Sequence, residues 1–156
     1  MGVSGAGKTT VGRELARRLG WPFHEGDDLH PEENVEKMSK DEPLTDLDRR
    51  PWLERVRDLA AGAGSAVLTC SCLKRAYRDL VRDSPADIRF VYLEIEPAAA
   101  RERVGGRKGH FFDSDLVASQ FEALEPPRRA LALDANRSVD ALVDEAIARL
   151  GLASDP

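Results

Sequence analysis

Gly2-Val3-Ser4-Gly5-Ala6-Gly7-Lys8-Thr9 opens directly into Val11, Leu15, Ala16 and Leu19, apolar residues at helical spacing that end at Gly20 and Pro22. No other stretch restricts the fold as much. The pattern G-x-x-x-x-G-K-[ST] describes a phosphate-binding loop, and each residue type has a physical reason. Glycines let successive backbone N–H groups converge on one anion. A helix beginning near Gly7 turns its positive end to the same point. The chain is thereby expected to hold a nucleotide through Gly2, Ser4, Gly5, Ala6, Gly7, Lys8, Thr9 and Thr10. Lys8 would reach the β- and γ-phosphates and the Thr9 hydroxyl would ligate Mg²⁺. The alternative, a glycine-rich turn that merely precedes a helix, is disfavoured by the immediate apolar stripe.

Such a loop belongs to a strand–loop–helix unit, yet only Met1 precedes Gly2. The expectation is an upstream segment lost from this sequence or, failing that, a sheet without its central strand. The rest alternates strands and helices. Strands are read at 21–25, 65–69, 88–95 and 130–134, and helices at 31–39, from Asp46 to about Gly62, 74–82, 97–104, 116–124 and 139–150. Pro31 and Pro97 suit helix starts, and Asp46 suits an N-cap. This order predicts an α/β fold of three layers, a parallel sheet with helices on both faces. With 156 residues, one domain spans 1–156.

Composition narrows the classes. Hydrophobic residues are 42% and charged residues 33% of the chain, ordinary for a packed globular protein. Net charge is −5, so no overall basic field draws nucleic acid, and an anionic substrate needs local Arg and Lys. No apolar run reaches the roughly 20 residues of a membrane helix. No secretory leader is read ahead of the loop. Cys70 and Cys72 make neither a disulfide framework nor a zinc set, and a reducing cytoplasm is the natural compartment.

Beyond the loop, Gly26-Asp27, Leu29-His30-Pro31, Asn34, Glu36-Lys37-Met38, Glu42-Pro43-Leu44 and Asp48-Arg49 occur in order. Pro51-Trp52-Leu53, Ser71, Leu73-Lys74, Tyr77-Arg78-Asp79, Arg107-Lys108-Gly109-His110-Phe111-Phe112 and Gln120-Phe121-Glu122 with Leu124-Glu125-Pro126 follow. Over about residues 2–127 this set resembles the gluconokinases of the shikimate-kinase-like P-loop group. The resemblance implies a nucleoside-monophosphate-kinase-like fold with a lid, ATP and Mg²⁺ as cofactors, and transfer of phosphate to the 6-hydroxyl of D-gluconate. Homodimers are common among resembling proteins. A shikimate-type kinase and an inactive nucleotide-binding regulatory module are the competing readings.

Phosphoryl transfer then suggests roles. Asp27 is the candidate base, with Lys8 and Arg107 as the cations of the reacting centre. Asp28 would cap the helix near Pro31, and Glu25 would support Mg²⁺ beside Thr9. Arg50, Lys74 and Arg78 would converge on the gluconate carboxylate, Lys74 and Arg78 sharing a helix face. Ser71 and His30 would read its hydroxyls. Residues 105–115 form the expected lid, its glycines acting as hinges, and Arg103 would stack on adenine.

Overall fold

The computed structural model describes residues 1–40, 42–106 and 114–153. Helix α1, Lys8–Leu19, starts at Gly7 in the left-handed region and stops at Gly20, whose N–H caps the Ala16 carbonyl. Strand β1, Phe23–Glu25, runs into a tight 3-10 turn at Gly26–Leu29, and α2, Glu32–Ser39, follows. Asp28 is exposed in that turn, and α2 has Pro31 at its N-cap with no side-chain cap, so the expected Asp28 cap is replaced by the proline's fixed φ.

Helix α3, Asp46–Gly62, is capped one residue earlier than the sequence suggests. The Thr45 hydroxyl accepts from the Asp48 N–H while the Asp48 carboxylate accepts from the Thr45 N–H, a reciprocal box that satisfies two orphan donors. Strand β2, Val67–Thr69, leads to α4, Arg75–Arg82. Strand β3, Val91–Glu94, leads to α5, Pro97–Gly105, with proline in its first turn. Then come α6, Ser114–Ala123, β4, Leu131–Asp134, and α7, Val139–Leu150, capped by the Ser138 hydroxyl.

The strands are parallel, as the alternation requires, but they form two pairs. Phe23 to Glu25 of β1 lie opposite Val67 to Thr69 of β2, and Val91 to Glu94 of β3 opposite Leu131 to Asp134 of β4. Among the described residues no ladder joins β2 to β3. Helices cover both sides. Leu15 and Leu19 of α1 pack with Leu142, Val143 and Ala146 of α7 and with Leu93 and Leu133 of the β3–β4 pair. Trp52, Leu53 and Val56 of α3 pack with Tyr77 and Val81 of α4 over Cys70 and Cys72. The P-loop and the turns after β1 and β2 meet at the carboxyl end of the strands, where α/β sheets place ligands.

Candidate active site

The loop is held from below. Gly5 sits at φ +82°, and a Cβ there would lie 2.6 Å from the Ala100 carbonyl oxygen at the start of α5. Only glycine satisfies both the left-handed backbone and that approach. The first turn of α1 has no acidic residue and no side-chain cap, which leaves its N–H groups and positive end for an anion. Lys8 Nζ donates to the Val3 carbonyl at 3.1 Å, arching the side chain back over the loop.

Glu25, at the end of β1, joins three elements. Its carboxylate accepts from Thr9 Oγ1 at 2.7 Å and from Thr69 Oγ1. Gly26 then lets β1 pass against β2, since a Cβ would stand 2.1 Å from the Thr69 carbonyl oxygen. Trp52 Nε1, fully buried, donates to the Gly26 carbonyl at 2.7 Å and fixes the turn from the α3 side.

That turn leaves Asp27 exposed at the carboxyl end of the strands, within electrostatic reach of Lys8. Its carboxyl is open to solvent, yet the protein crowding around it raises its pKa above the ordinary value. Lys8 and Arg49 pull the other way, while Glu25 and Asp28 add to the rise. The result is a carboxylate more basic than a free one. A hydroxyl between Asp27 and the loop would meet a proton acceptor on one side and a phosphate cradle on the other.

The comparisons with known proteins agree with this geometry. The sequence profile of the shikimate kinase family matches residues 4–147. A gluconokinase of Gluconobacter oxydans is 52% identical over 132 residues, 81% of this chain and 74% of that protein. The thermoresistant gluconokinase of Escherichia coli is 43% identical over 131 residues, covering 81% and 75%. The crystal structure of a gluconokinase from Sinorhizobium meliloti 1021 superposes with a TM-score of 0.89 at 45% identity, covering 97% of this chain and 89% of that one. The chain belongs to the gluconokinases of the shikimate kinase family.

On the acceptor side of this gluconokinase-family cleft, the structure separates residues that the sequence grouped. Arg50 points to solvent, its side chain 70% exposed and paired with Glu54. Its neighbour Arg49 is half-buried, and its charge acts on Asp27, His30, Asp46 and Tyr77 alike. Helix periodicity carries the signal: Arg49 shares a face with buried Trp52, Leu53 and Val56, whereas Arg50 does not.

Lys74 is the N-cap residue of α4, and its ammonium bonds both Asp46 carboxylate oxygens, at 2.7 and 2.9 Å. Tyr77 donates to the same carboxylate at 2.5 Å. Arg78 does not share that direction. It is buried, and its guanidinium donates to the carbonyls of Cys72, Leu73 and Glu125, so the expected substrate clamp is instead a brace inside the protein. Ser71 is half-buried on the turn after β2.

His30 stacks on Trp52, centroids 4.5 Å apart and planes 10° off parallel, and its Nδ1 lies 3.2 Å from the Asn34 amide nitrogen. Asn34 also donates to the Asp48 carbonyl, whose own carboxylate pairs with Lys37. Burial, then Arg49, lowers the His30 pKa to about 4, so the ring is neutral at pH 7. The unfolded chain takes its proton near 6.5. Unfolding therefore binds a proton between those values, and stability falls as pH drops from about 6.5 to about 4. His30→Gln is expected to flatten Tm against pH across that window; an unchanged slope would assign it to another group.

On the nucleotide side, Gln120 of α6 accepts from the Ser4 N–H at 2.7 Å and donates to its hydroxyl at 3.0 Å, a clamp on the loop that the sequence reading passed over. Arg103 donates to the Ala135 carbonyl and to Asn136 Oδ1, tying α5 to the turn after β4. Gly105 ends α5 as helix and Gly106 caps it, at the edge of the expected lid. Arg107 and most of the 105–115 segment lie outside the described residues. Cys70 and Cys72 are free and buried, with Sγ atoms 2.8 Å apart. Among the described residues no helix is long and apolar enough to cross a membrane, and no cluster of three or more His, Cys, Asp or Glu could hold a metal.

Proposed function

We propose that the protein transfers the γ-phosphoryl group of ATP to the 6-hydroxyl of D-gluconate, forming 6-phospho-D-gluconate in the cytoplasm. The observation that carries this reading is that the charges of Lys8 of the loop and of Arg49 both act on Asp27, in a chain 52% identical to a gluconokinase.

Thr9 Oγ1 and Glu25, already in contact at the start of α1, are hard oxygen donors that fit Mg²⁺, with Thr9 as direct ligand and Glu25 acting through water. The ion, when bound, neutralises charge on the β- and γ-phosphate oxygens. The loop N–H groups and Lys8 orient the phosphates. Arg49 holds the gluconate carboxylate, with Lys74 at the rim, and neutral His30 and Ser71 hydrogen-bond the polyol hydroxyls. Asp27 accepts the proton from the 6-hydroxyl as its oxygen attacks the γ-phosphorus. The proton leaves on Asp27 and ADP departs with the bridging oxygen's electron pair.

A coupled assay with ATP and Mg²⁺ against D-gluconate, shikimate, AMP and no acceptor tests the activity. Turnover with gluconate alone is expected; equal or greater turnover with shikimate or AMP overturns the assignment. Within that assay, Arg49→Ala is expected to raise the gluconate KM at least about 10-fold while the ATP KM moves less than about two-fold, as loss of one charged contact to substrate requires. Arg50→Ala should change neither. Parallel rises in both KM values for Arg49→Ala would remove it from the substrate end.

A further inference from the structure

Gln120 reaches the phosphate-binding loop from α6, 116 residues along the chain. That helix is rooted in the core by Val117, 1% exposed, and Gln120 follows one turn later on the same face. The side-chain amide makes two bonds to one residue. Its Oε1 accepts from the Ser4 N–H at 2.7 Å, and its Nε2 donates to Ser4 Oγ at 3.0 Å. A backbone N–H only donates, so the amide atom facing it has to be the oxygen. The nitrogen is thereby left against the hydroxyl. An amide nitrogen only donates as well, so Ser4 Oγ is the acceptor and its own hydrogen goes to a different atom.

The same contact sets the peptide that precedes Ser4. In a planar trans peptide the C=O and the following N–H point in opposite directions. With the Ser4 N–H turned to Gln120, the Val3 carbonyl faces the other way. There it accepts from Lys8 Nζ at 3.1 Å and from the Ala6 N–H at 3.3 Å. Gln120 therefore holds the plane on which Lys8 leans. The lysine of such a loop serves the β- and γ-phosphates, while the loop N–H groups cradle the phosphates nearer the nucleoside. Ser4 shares a peptide with the carbonyl beside that ammonium, and so belongs to the γ end of the loop.

The geometry points to Gln120 as a positioning residue for the transferred phosphoryl group, acting through Ser4. It turns the Ser4 hydroxyl hydrogen to a γ-phosphate oxygen and keeps the Val3–Ser4 peptide from flipping away from Lys8. Two effects combine. A serine without a partner samples several staggered rotamers, whereas this one is held in a single direction. A hydroxyl that already accepts a hydrogen bond also donates more strongly, because bonds in a chain polarise one another. ADP has no γ-phosphate and gains nothing from that hydroxyl, so the Gln120–Ser4 pair favours the triphosphate over the diphosphate product. The inference rests on the reading of the loop as an ATP site, and not on which acceptor takes the phosphate.

The test measures binding of β,γ-imido ATP and of ADP, each with Mg²⁺ and without acceptor, by calorimetry on the whole chain and three variants. Gln120→Met fills the same space without either bond, Ser4→Ala removes the hydroxyl, and the third variant carries both changes. Gln120→Met is expected to weaken the triphosphate about 10-fold, the size of one hydrogen bond to a charged group, and ADP less than about two-fold. Ser4→Ala should match it. The double variant should bind no more weakly than Gln120→Met alone, since two residues acting through one bond do not add. A plain brace of the loop weakens both nucleotides alike, and that result overturns the inference. So do additive losses in the double variant, or an unaltered triphosphate affinity in Gln120→Met. Should Gln120→Met not fold, Ser4→Ala decides by the same split between the two nucleotides. An unaltered chain that binds neither nucleotide fails the ATP reading itself, and the inference with it. Failure to phosphorylate gluconate with both nucleotides still bound fails the acceptor assignment alone.

Discussion

Asp27→Asn is expected to lower kcat for gluconate phosphorylation by about 10²–10⁴-fold, the range of a general base, with the ATP KM changed by less than about two-fold. The substitution keeps the shape of the side chain and an acceptor oxygen but removes its capacity to take a proton. The turn that carries it should survive. Trp52 and the close passage of Gly26 over Thr69 hold that turn by backbone contacts, and the Asp27 side chain itself is exposed. The pH profile gives a second readout. Because crowding raises the Asp27 pKa, kcat/KM of the unaltered protein should rise with pH through a midpoint above that of a free aspartate. The ionised form is the active one, so activity is lost on the acid side. The Asn variant should lack that limb. A variant with unchanged kcat would take Asp27 out of proton transfer and leave catalysis to positioning and charge.

Much of this was legible in the sequence because the local signals are strong and consistent. The apolar stripe from Val11 to Leu19, the glycine stop, Pro97 at a helix start and the 139–150 helix all reappear in the structure. Strands were read too long: 88–95 became Val91–Glu94, because an apolar run continues past the residues that have a partner to bond. The site was legible in its residue types and less so in their directions. Lys74, Arg78 and Arg50 read as candidate anion binders and Arg49 did not, since spacing alone does not say which face of α3 or α4 meets the core. For Arg49 the buried Trp52–Leu53–Val56 pattern could have decided. For Arg78 nothing local could, because its partners include the Glu125 carbonyl, 47 residues away. The Gln120–Ser4 clamp spans 116 residues and was equally out of reach.

Arg78→Ala is expected to destabilise the protein by about 2–4 kcal/mol, from the loss of charge-assisted bonds to three carbonyls, two of them buried. For a chain of this size that is roughly a 5–15 °C fall in Tm. The cost is concentrated at one turn. Cys72, whose carbonyl Arg78 holds, is the one non-glycine among the described residues at positive φ, +39°. A left-handed backbone at such a residue persists only where its surroundings hold it. Glu125 adds two further bonds to the same turn: its N–H donates to the Leu73 carbonyl, and its carboxylate accepts from the Arg75 N–H. Arg78 therefore locks the segment after α6 onto the loop that displays Ser71 and Lys74. Arg78→Lys should recover only part of the stability, because one ammonium does not reproduce a planar fork reaching three carbonyls. Two readouts distinguish this brace from a substrate clamp. A brace predicts a lower Tm for both variants and, well below that Tm, a gluconate KM that changes by less than about threefold. A clamp predicts the reverse, an unchanged Tm with a gluconate KM raised by about 10-fold or more.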